Sequence, residues 1–94
     1  MYINNLIWLD QVVEKIERKH RVSKEEVEEA LYNRPKYRKA QKGKFKGEDL
    51  YYAYGRTDGG RYLLVVFVYK KTKDALIISA RDMDHKERRY YGKK

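Results

Sequence analysis

The stretch from residue 50 to residue 69 constrains the fold most. Residues 50–56 and 61–69 are two runs rich in aromatic and β-branched side chains, a composition that suits strands. Between them stands Thr57-Asp58-Gly59-Gly60, which supplies the positive-φ positions of a tight turn. The pattern predicts an antiparallel hairpin with two registers open. A loop at Asp58-Gly59 sets Arg56 opposite Arg61, two like charges. A loop at Gly59-Gly60 sets Asp58 opposite Arg61, which is electrostatically better. Both faces of residues 63–68 are apolar, so this strand is expected at the centre of a sheet, covered on each side.

The flanking segments read around that hairpin. Residues 8–20 predict a first helix: Leu9, Val12, Val13 and Ile16 recur at helical spacing, with charged residues opposite. His20 falls on the edge of that stripe and is expected to face the domain body. Ser23 and Glu26 have capping-box spacing, Val22 and Val27 staple spacing, and Val27, Ala30 and Leu31 form an apolar face, giving a second helix. It ends at Asn33 to Pro35, because Pro35 keeps Arg34 out of the right-handed helical region. Residues 36–47 suggest a weak edge strand, then a loop, with lysines deterring edge-to-edge pairing. A third strand is expected over residues 75–81, with Ile77, Ser79 and Arg81 on one face and Leu76, Ile78 and Ala80 on the other. Asp84 and Glu87 repeat the capping-box spacing and open a short final helix.

These elements make an α+β fold: two N-terminal helices packed on an antiparallel sheet of three to four strands, then a short C-terminal helix. Ninety-four residues allow one core, so residues 1–94 are expected to form a single domain. The longest apolar stretch has strand length, so no membrane span is expected, and residues 1–10 show no signal-peptide pattern. The chain has no cysteine, which excludes disulfides and thiolate chemistry and suits a cytoplasmic protein. Two histidines 65 positions apart and scattered carboxylates give no metal-ligand spacing. No cofactor-binding motif is present either.

The net charge of +9 is concentrated. Residues 34–47 hold seven basic and no acidic residues, and residues 70–94 hold nine basic and four acidic. The remainder is near neutral. Cationic segments of this kind fit a polyanion, since each neutralised phosphate releases a counterion. Ten tyrosines add rings on which unpaired bases can stack, although tyrosine is also an ordinary strand residue.

Several blocks in order point further. They are Trp8; Arg18-Lys19-His20 with Val22-Ser23 and Glu25-Glu26; Asn33-Arg34-Pro35; Gly47-Glu48-Asp49; Gly55; Gly60-Arg61-Tyr62-Leu63; Ile77-Ile78-Ser79-Ala80-Arg81; and Glu87-Arg88-Arg89-Tyr90. In this order the sequence resembles the BrnT family of bacterial toxins, small ribonucleases with a RelE-like fold. It departs from the family pattern at Leu9, at Ile16, and at Arg21, where the family usually carries Gly. The resemblance implies a type II toxin that cleaves RNA and arrests growth. It also implies a BrnA-like ribbon-helix-helix antitoxin as partner, through which alone the toxin would meet DNA.

Metal-free RNA cleavage needs a base for the ribose 2′-hydroxyl, cations for the pentavalent phosphate, and an acid for the leaving oxygen. His20 is the acid/base candidate by its near-neutral titration, or else a structural residue at the helix end. Arg81 is expected to hold a phosphate or to pair with Glu25 or Glu26. Arg61 is expected at a phosphate or as the cross-strand partner of Asp58. Glu87 is a base or a cap, and Arg88 a transition-state cation. Lys36, Arg38, Lys39, Tyr54, Arg89 and Tyr90 are the expected substrate contacts. A non-catalytic nucleic-acid module, or a domain binding an acidic partner, would use the same basic surface.

Overall fold

The computed structural model describes residues 1–41 and 48–93; the loop expected over residues 42–47 lies outside them. The order of elements is β1 (Leu6–Ile7), α1 (Asp10–His20), α2 (Lys24–Tyr32), β2 (Lys36–Gln41), β3 (Asp49–Arg56), β4 (Tyr62–Tyr69), β5 (Ala75–Asp82) and α3 (His85–Gly92). The strands form one sheet of order β1-β5-β4-β3-β2. All pairs are antiparallel except β1 with β5. The sheet is therefore mixed and five-stranded, one strand more than expected. The two-residue β1, beside Asn4-Asn5, is too short to leave a periodic signal.

Helix α1 begins at Asp10, not at Trp8. Leu9 is its extended N-cap and is 39% exposed, while Val12 and Ile16 are buried. Leu9 thus precedes the apolar stripe and does not belong to it. The helix exits through Arg21 at φ 54°, a left-handed position that favours glycine. The α2 capping box forms as expected: the Glu26 N–H donates to Ser23 Oγ at 3.1 Å and the Ser23 N–H to Glu26 Oε1 at 3.0 Å. Val22 and Val27 are both fully buried. Arg34 leaves the helical region by taking φ 52°, so Pro35 is accommodated by a left-handed residue and not by an extended one.

The hairpin turn takes neither expected register. Arg56 pairs with Tyr62, and the Thr57 N–H donates to the Arg61 carbonyl at 2.9 Å. The loop is thus three residues long, Asp58-Gly59-Gly60. Gly60 carries φ +89°, as a three-residue hairpin loop requires at its last position. The Arg61 N–H also donates to Thr57 Oγ1 at 3.0 Å, which explains the burial of Thr57.

A second irregularity lies in β5. Val66 pairs with Ser79 but Phe67 pairs with Ile77, so Ile78 is an extra, unpaired residue. A bulge of this kind shifts the side-chain alternation. Ile77 and Ala80 therefore share the helix-covered face with Val65 and Phe67, whereas Ser79 and Arg81 share the other face with Val66 and Leu64. The expected grouping of Ile77 with Arg81 is overturned for that reason.

The main core lies between the sheet and α1 with α2, around Ile16, Val27, Leu63, Val65, Phe67 and Ile77. Close approach of α2 requires Gly55, where a Cβ would stand 2.5 Å from the Ala30 carbonyl oxygen. On the opposite face α3 covers one end of the sheet over Tyr54, Leu64 and Met83. β4 is central as expected, but its second half, Val66 and Val68, remains half-exposed on that face. Among the described residues no helix is long and apolar enough to cross a membrane.

Candidate active site

Helix α3 is the element that builds the site. Its capping box fixes its start: the Glu87 N–H donates to Asp84 Oδ1 at 2.8 Å, and the Asp84 N–H to Glu87 Oε1 at 2.9 Å. Glu87 then faces the sheet. Arg81 Nη1 and Nη2 donate to its two carboxylate oxygens at 2.8 and 2.7 Å, a bidentate pair. The expected partners Glu25 and Glu26 lie on the other side of the sheet, because the bulge turns Arg81 toward α3. The Arg81 contacts hold the Glu87 carboxyl below its usual range, with burial opposing. Glu87 in turn raises Arg81. Arg81 keeps 40% of its side chain exposed, so the pair is open to solvent and to an anion.

One turn further along α3, Tyr90 packs on Tyr54 with ring centroids 4.8 Å apart. Burial pushes the Tyr54 hydroxyl up, and Arg38 beside it opposes that shift. The Arg38 guanidinium lies 5.7 Å from the Tyr90 ring centre. Arg38 sits opposite Tyr52, and Lys36 opposite Tyr54. Lys36 Nζ lies 4.0 Å from the Tyr90 ring centre and donates to the carbonyls of Tyr90 at 2.9 Å and Lys93 at 3.1 Å. This ammonium caps the C-terminal end of α3, where carbonyls lack helical partners. On the other side of α3, the exposed Arg88 guanidinium lies 4.4 Å from the Tyr62 ring centre. Arg89 is exposed on the same helix.

Lys39 does not join this group. It alternates to the helix-covered face opposite Tyr51 and pairs with Asp49 at 3.0 Å.

His20 and Arg61 form a separate assembly at the same end of the sheet, on the face of α1 and α2. Arg61 Nε and Nη2 donate to the Asp82 carboxylate at 2.6 and 3.0 Å. Its Nη1 reaches Glu26 at 3.2 Å and the Arg21 carbonyl at 2.7 Å. Nη2 also reaches the His20 carbonyl at 2.9 Å. The guanidinium therefore ties the α1 exit, the α2 start, β4 and β5 together. Asp58, its expected partner, instead accepts from Asn33 Nδ2 at 2.9 Å, because the three-residue loop carries it away. Hydrogen bonds from Arg61 hold Asp82 below its usual range, against burial, and the charge of nearby His20 adds to this. For Glu26, burial alone would raise the carboxyl; the Ser23 N–H and Arg61 outweigh it.

Of the five expected catalytic residues, Arg81 and Glu87 are paired, Arg88 lies next along α3 against Tyr62, and His20 and Arg61 lie across the sheet. Asp82 went unrecognised in the sequence. No local signal marks it: Arg61 reaches Asp82 only across the β4–β5 pairing, in which Leu63 stands opposite Asp82. A cavity of about 610 Å³ opens on the helix-bearing side, between the N-terminal segment and α2, and holds none of the expected site residues. Among the described residues no group of three or more His, Cys, Asp or Glu is placed to hold a metal ion.

Comparison with known proteins agrees with this architecture. The crystal structure of the Brucella abortus ribonuclease toxin BrnT is similar, with a TM-score of 0.59 over 86% of this chain and 97% of that one. At 17% identity that likeness concerns the fold. No curated protein matches the sequence. A family model described as the BrnT ribonuclease toxin of type II toxin–antitoxin systems matches residues 8–87. With most of its length covered by that match, the chain belongs to the BrnT family of type II toxin–antitoxin ribonuclease toxins.

Proposed function

We propose that this toxin is a metal-independent endoribonuclease whose reaction takes place on the α3 face, at Arg81, Glu87 and Arg88. The observation that carries this is the solvent-open bidentate Arg81–Glu87 pair on a face that also carries Arg38, Arg88 and Tyr90. A phosphate that engages Arg81 loosens its hold on Glu87, and the freed carboxylate regains basicity. Glu87 then takes the proton of a ribose 2′-hydroxyl. The 2′ oxygen attacks the adjacent phosphorus and the bond to the 5′ oxygen breaks, giving a 2′,3′-cyclic phosphate. The leaving oxygen takes its proton from water. Arg81 and Arg88 stabilise the charge that grows on the phosphoryl oxygens. Arg38, Arg89 and Tyr90 line the approach; Tyr54, expected as a substrate contact, is buried and supports the Tyr90 ring from beneath, and Lys36 holds α3 in place. In the cytoplasm this activity arrests growth until a BrnA-like ribbon-helix-helix antitoxin covers the toxin, and DNA is met only through that antitoxin.

The test uses purified toxin and single-stranded RNA in excess chelator. Fragments ending in 2′,3′-cyclic phosphate are expected, falling by about 10²–10³-fold in Arg81→Gln, the usual cost of removing one transition-state donor. Induction of the toxin is expected to stop growth, and co-expression of the antitoxin to restore it. Cleavage that requires added Mg²⁺ sinks the metal-independent reading. Salt-dependent RNA binding without fragments would make the protein a binding module instead.

A further inference from the structure

A second cationic and aromatic cluster lies beside the proposed reaction centre. Arg56 stands opposite Tyr62 on the α3 face of the hairpin. Its guanidinium lies 5.4 Å from the Tyr62 ring centre, and that of Arg88 lies 4.4 Å from the same centre. Tyr91 meets Tyr62 edge-on at 5.9 Å. Arg88 and Tyr91 are three residues apart on α3, so one side of the helix delivers both.

The two guanidiniums differ from those of Arg61 and Arg81. Among the described residues, neither Arg56 nor Arg88 is ion-paired to a carboxylate. Both side chains are exposed, and Tyr62 and Tyr91 are only half-buried. Two unpaired cations on one ring concentrate positive charge where an aromatic surface is also accessible. Planar guanidinium donors match phosphate oxygens, and an accessible tyrosine ring suits the face of an unpaired base. An acidic peptide would use the charges and leave the rings unexplained.

We infer that Arg56, Tyr62 and Tyr91 form a nucleotide subsite that takes one phosphate, on Arg56, and one stacked base of single-stranded RNA, with Arg88 standing between it and the reacting phosphate. It flanks the Arg81–Glu87 pair. Tyr62 is two residues before Leu64, which pairs with Arg81, a separation of about 7 Å along the strand. The subsite therefore lies within one or two nucleotides of the reacting phosphate. It rests on the RNA-cleaving reading above and deepens it by placing a neighbouring nucleotide of the substrate at the hairpin end of the α3 face.

The experiment measures binding of a labelled single-stranded 2′-O-methyl RNA, which lacks the attacking hydroxyl, across a salt series. Arg56→Gln is expected to weaken binding about fivefold and to lower the slope of log affinity against log salt by about 0.7, one single-strand phosphate contact. Tyr62→Leu is expected to weaken binding about tenfold with the slope unchanged, as loss of stacking does. Tyr62→Phe is expected to keep wild-type affinity, which separates a lost ring from a lost fold. Wild-type affinity and slope in Arg56→Gln, in a toxin that still cleaves RNA, would overturn the subsite and leave the function standing. A wild-type toxin that neither binds nor cleaves RNA overturns both. Loss of antitoxin binding but not of RNA binding in Arg56→Gln would reassign the cluster to the antitoxin.

Discussion

Arg61 and Arg81 sit twenty residues apart, at the same end of the sheet, and their guanidiniums serve opposite purposes. Arg61 spreads its donors over two carboxylates and two backbone carbonyls belonging to three other elements. It has no donor left for a ligand. Arg81 meets one carboxylate and its neighbour's carbonyl, and remains partly exposed. A phosphate can replace a single carboxylate; it cannot replace a set of partners fixed in space by three other chain segments. Donor saturation, and not charge or burial alone, distinguishes the clamp from the working cation.

The widest gap is expected between substitutions at these two positions. Arg81→Gln should cost cleavage about 10²–10³-fold, while its single, partly exposed ion pair contributes only about 0.5 kcal/mol of stability. Arg61→Gln should do the reverse. It unties the α1 exit, the α2 start and β5 by removing five charge-assisted hydrogen bonds at once, a loss of about 2 kcal/mol, or about 10 °C in Tm for a domain of this size. Cleavage per folded molecule, assayed well below Tm, should change by less than threefold. Thermal melts and cleavage rates on both variants decide it. If Arg61→Gln melts like wild type and is inactive, the comparison is inverted.

Acid sharpens the same contrast. Asp82, Glu26 and Glu87 are all held below their ordinary values of 3.8 and 4.5. A carboxylate with a lowered folded-state value adds stability above its ordinary value and loses it as pH falls through the folded one. Stability should therefore be level from pH 7 to about 5 and should fall below about 4.5. Arg61→Gln should remove the share of Asp82 and part of that of Glu26, which keeps its Ser23 N–H, and Arg81→Gln most of the share of Glu87. Denaturant midpoints between pH 3 and 7 measure both. An equal flattening would mean that the clamp is no stronger than the single Arg81–Glu87 pair.

Much of this was legible in the sequence, and the failures share one cause. Both capping boxes, the Val22–Val27 staple and the central placement of β4 follow from local spacing, which the chain expresses directly. What was hidden depends on pairing across strands. The three-residue loop put Arg56 against Tyr62 and removed Asp58 from Arg61. The bulge at Ile78 put Arg81 and Ile77 on opposite faces. A one-residue change of register exchanges the faces of every later side chain, so the partners of both arginines were out of reach of any local argument. Asp82 was missed with them. Its role is visible only once Leu63 and Asp82 are known to be opposite each other.

The smallest expected effect tests how far the clamp extends. Arg21 leaves α1 at φ 54°, a conformation that costs a non-glycine residue about 1–2 kcal/mol. Its carbonyl is one of the Arg61 acceptors. Arg21→Gly relieves that strain, and the larger backbone entropy of glycine in the unfolded chain offsets part of the gain. A net stabilisation of about 0.5 kcal/mol is expected, a rise of about 3 °C in Tm, with cleavage unchanged. The informative measurement is the double-mutant cycle. In an Arg81→Gln background the gain should persist in full, because no contact is shared. In an Arg61→Gln background it should shrink, since the α1 exit is no longer tethered at its carbonyl and can relax without glycine. Equal gains in the two backgrounds would show that Arg61 holds the carboxylates but not the helix end.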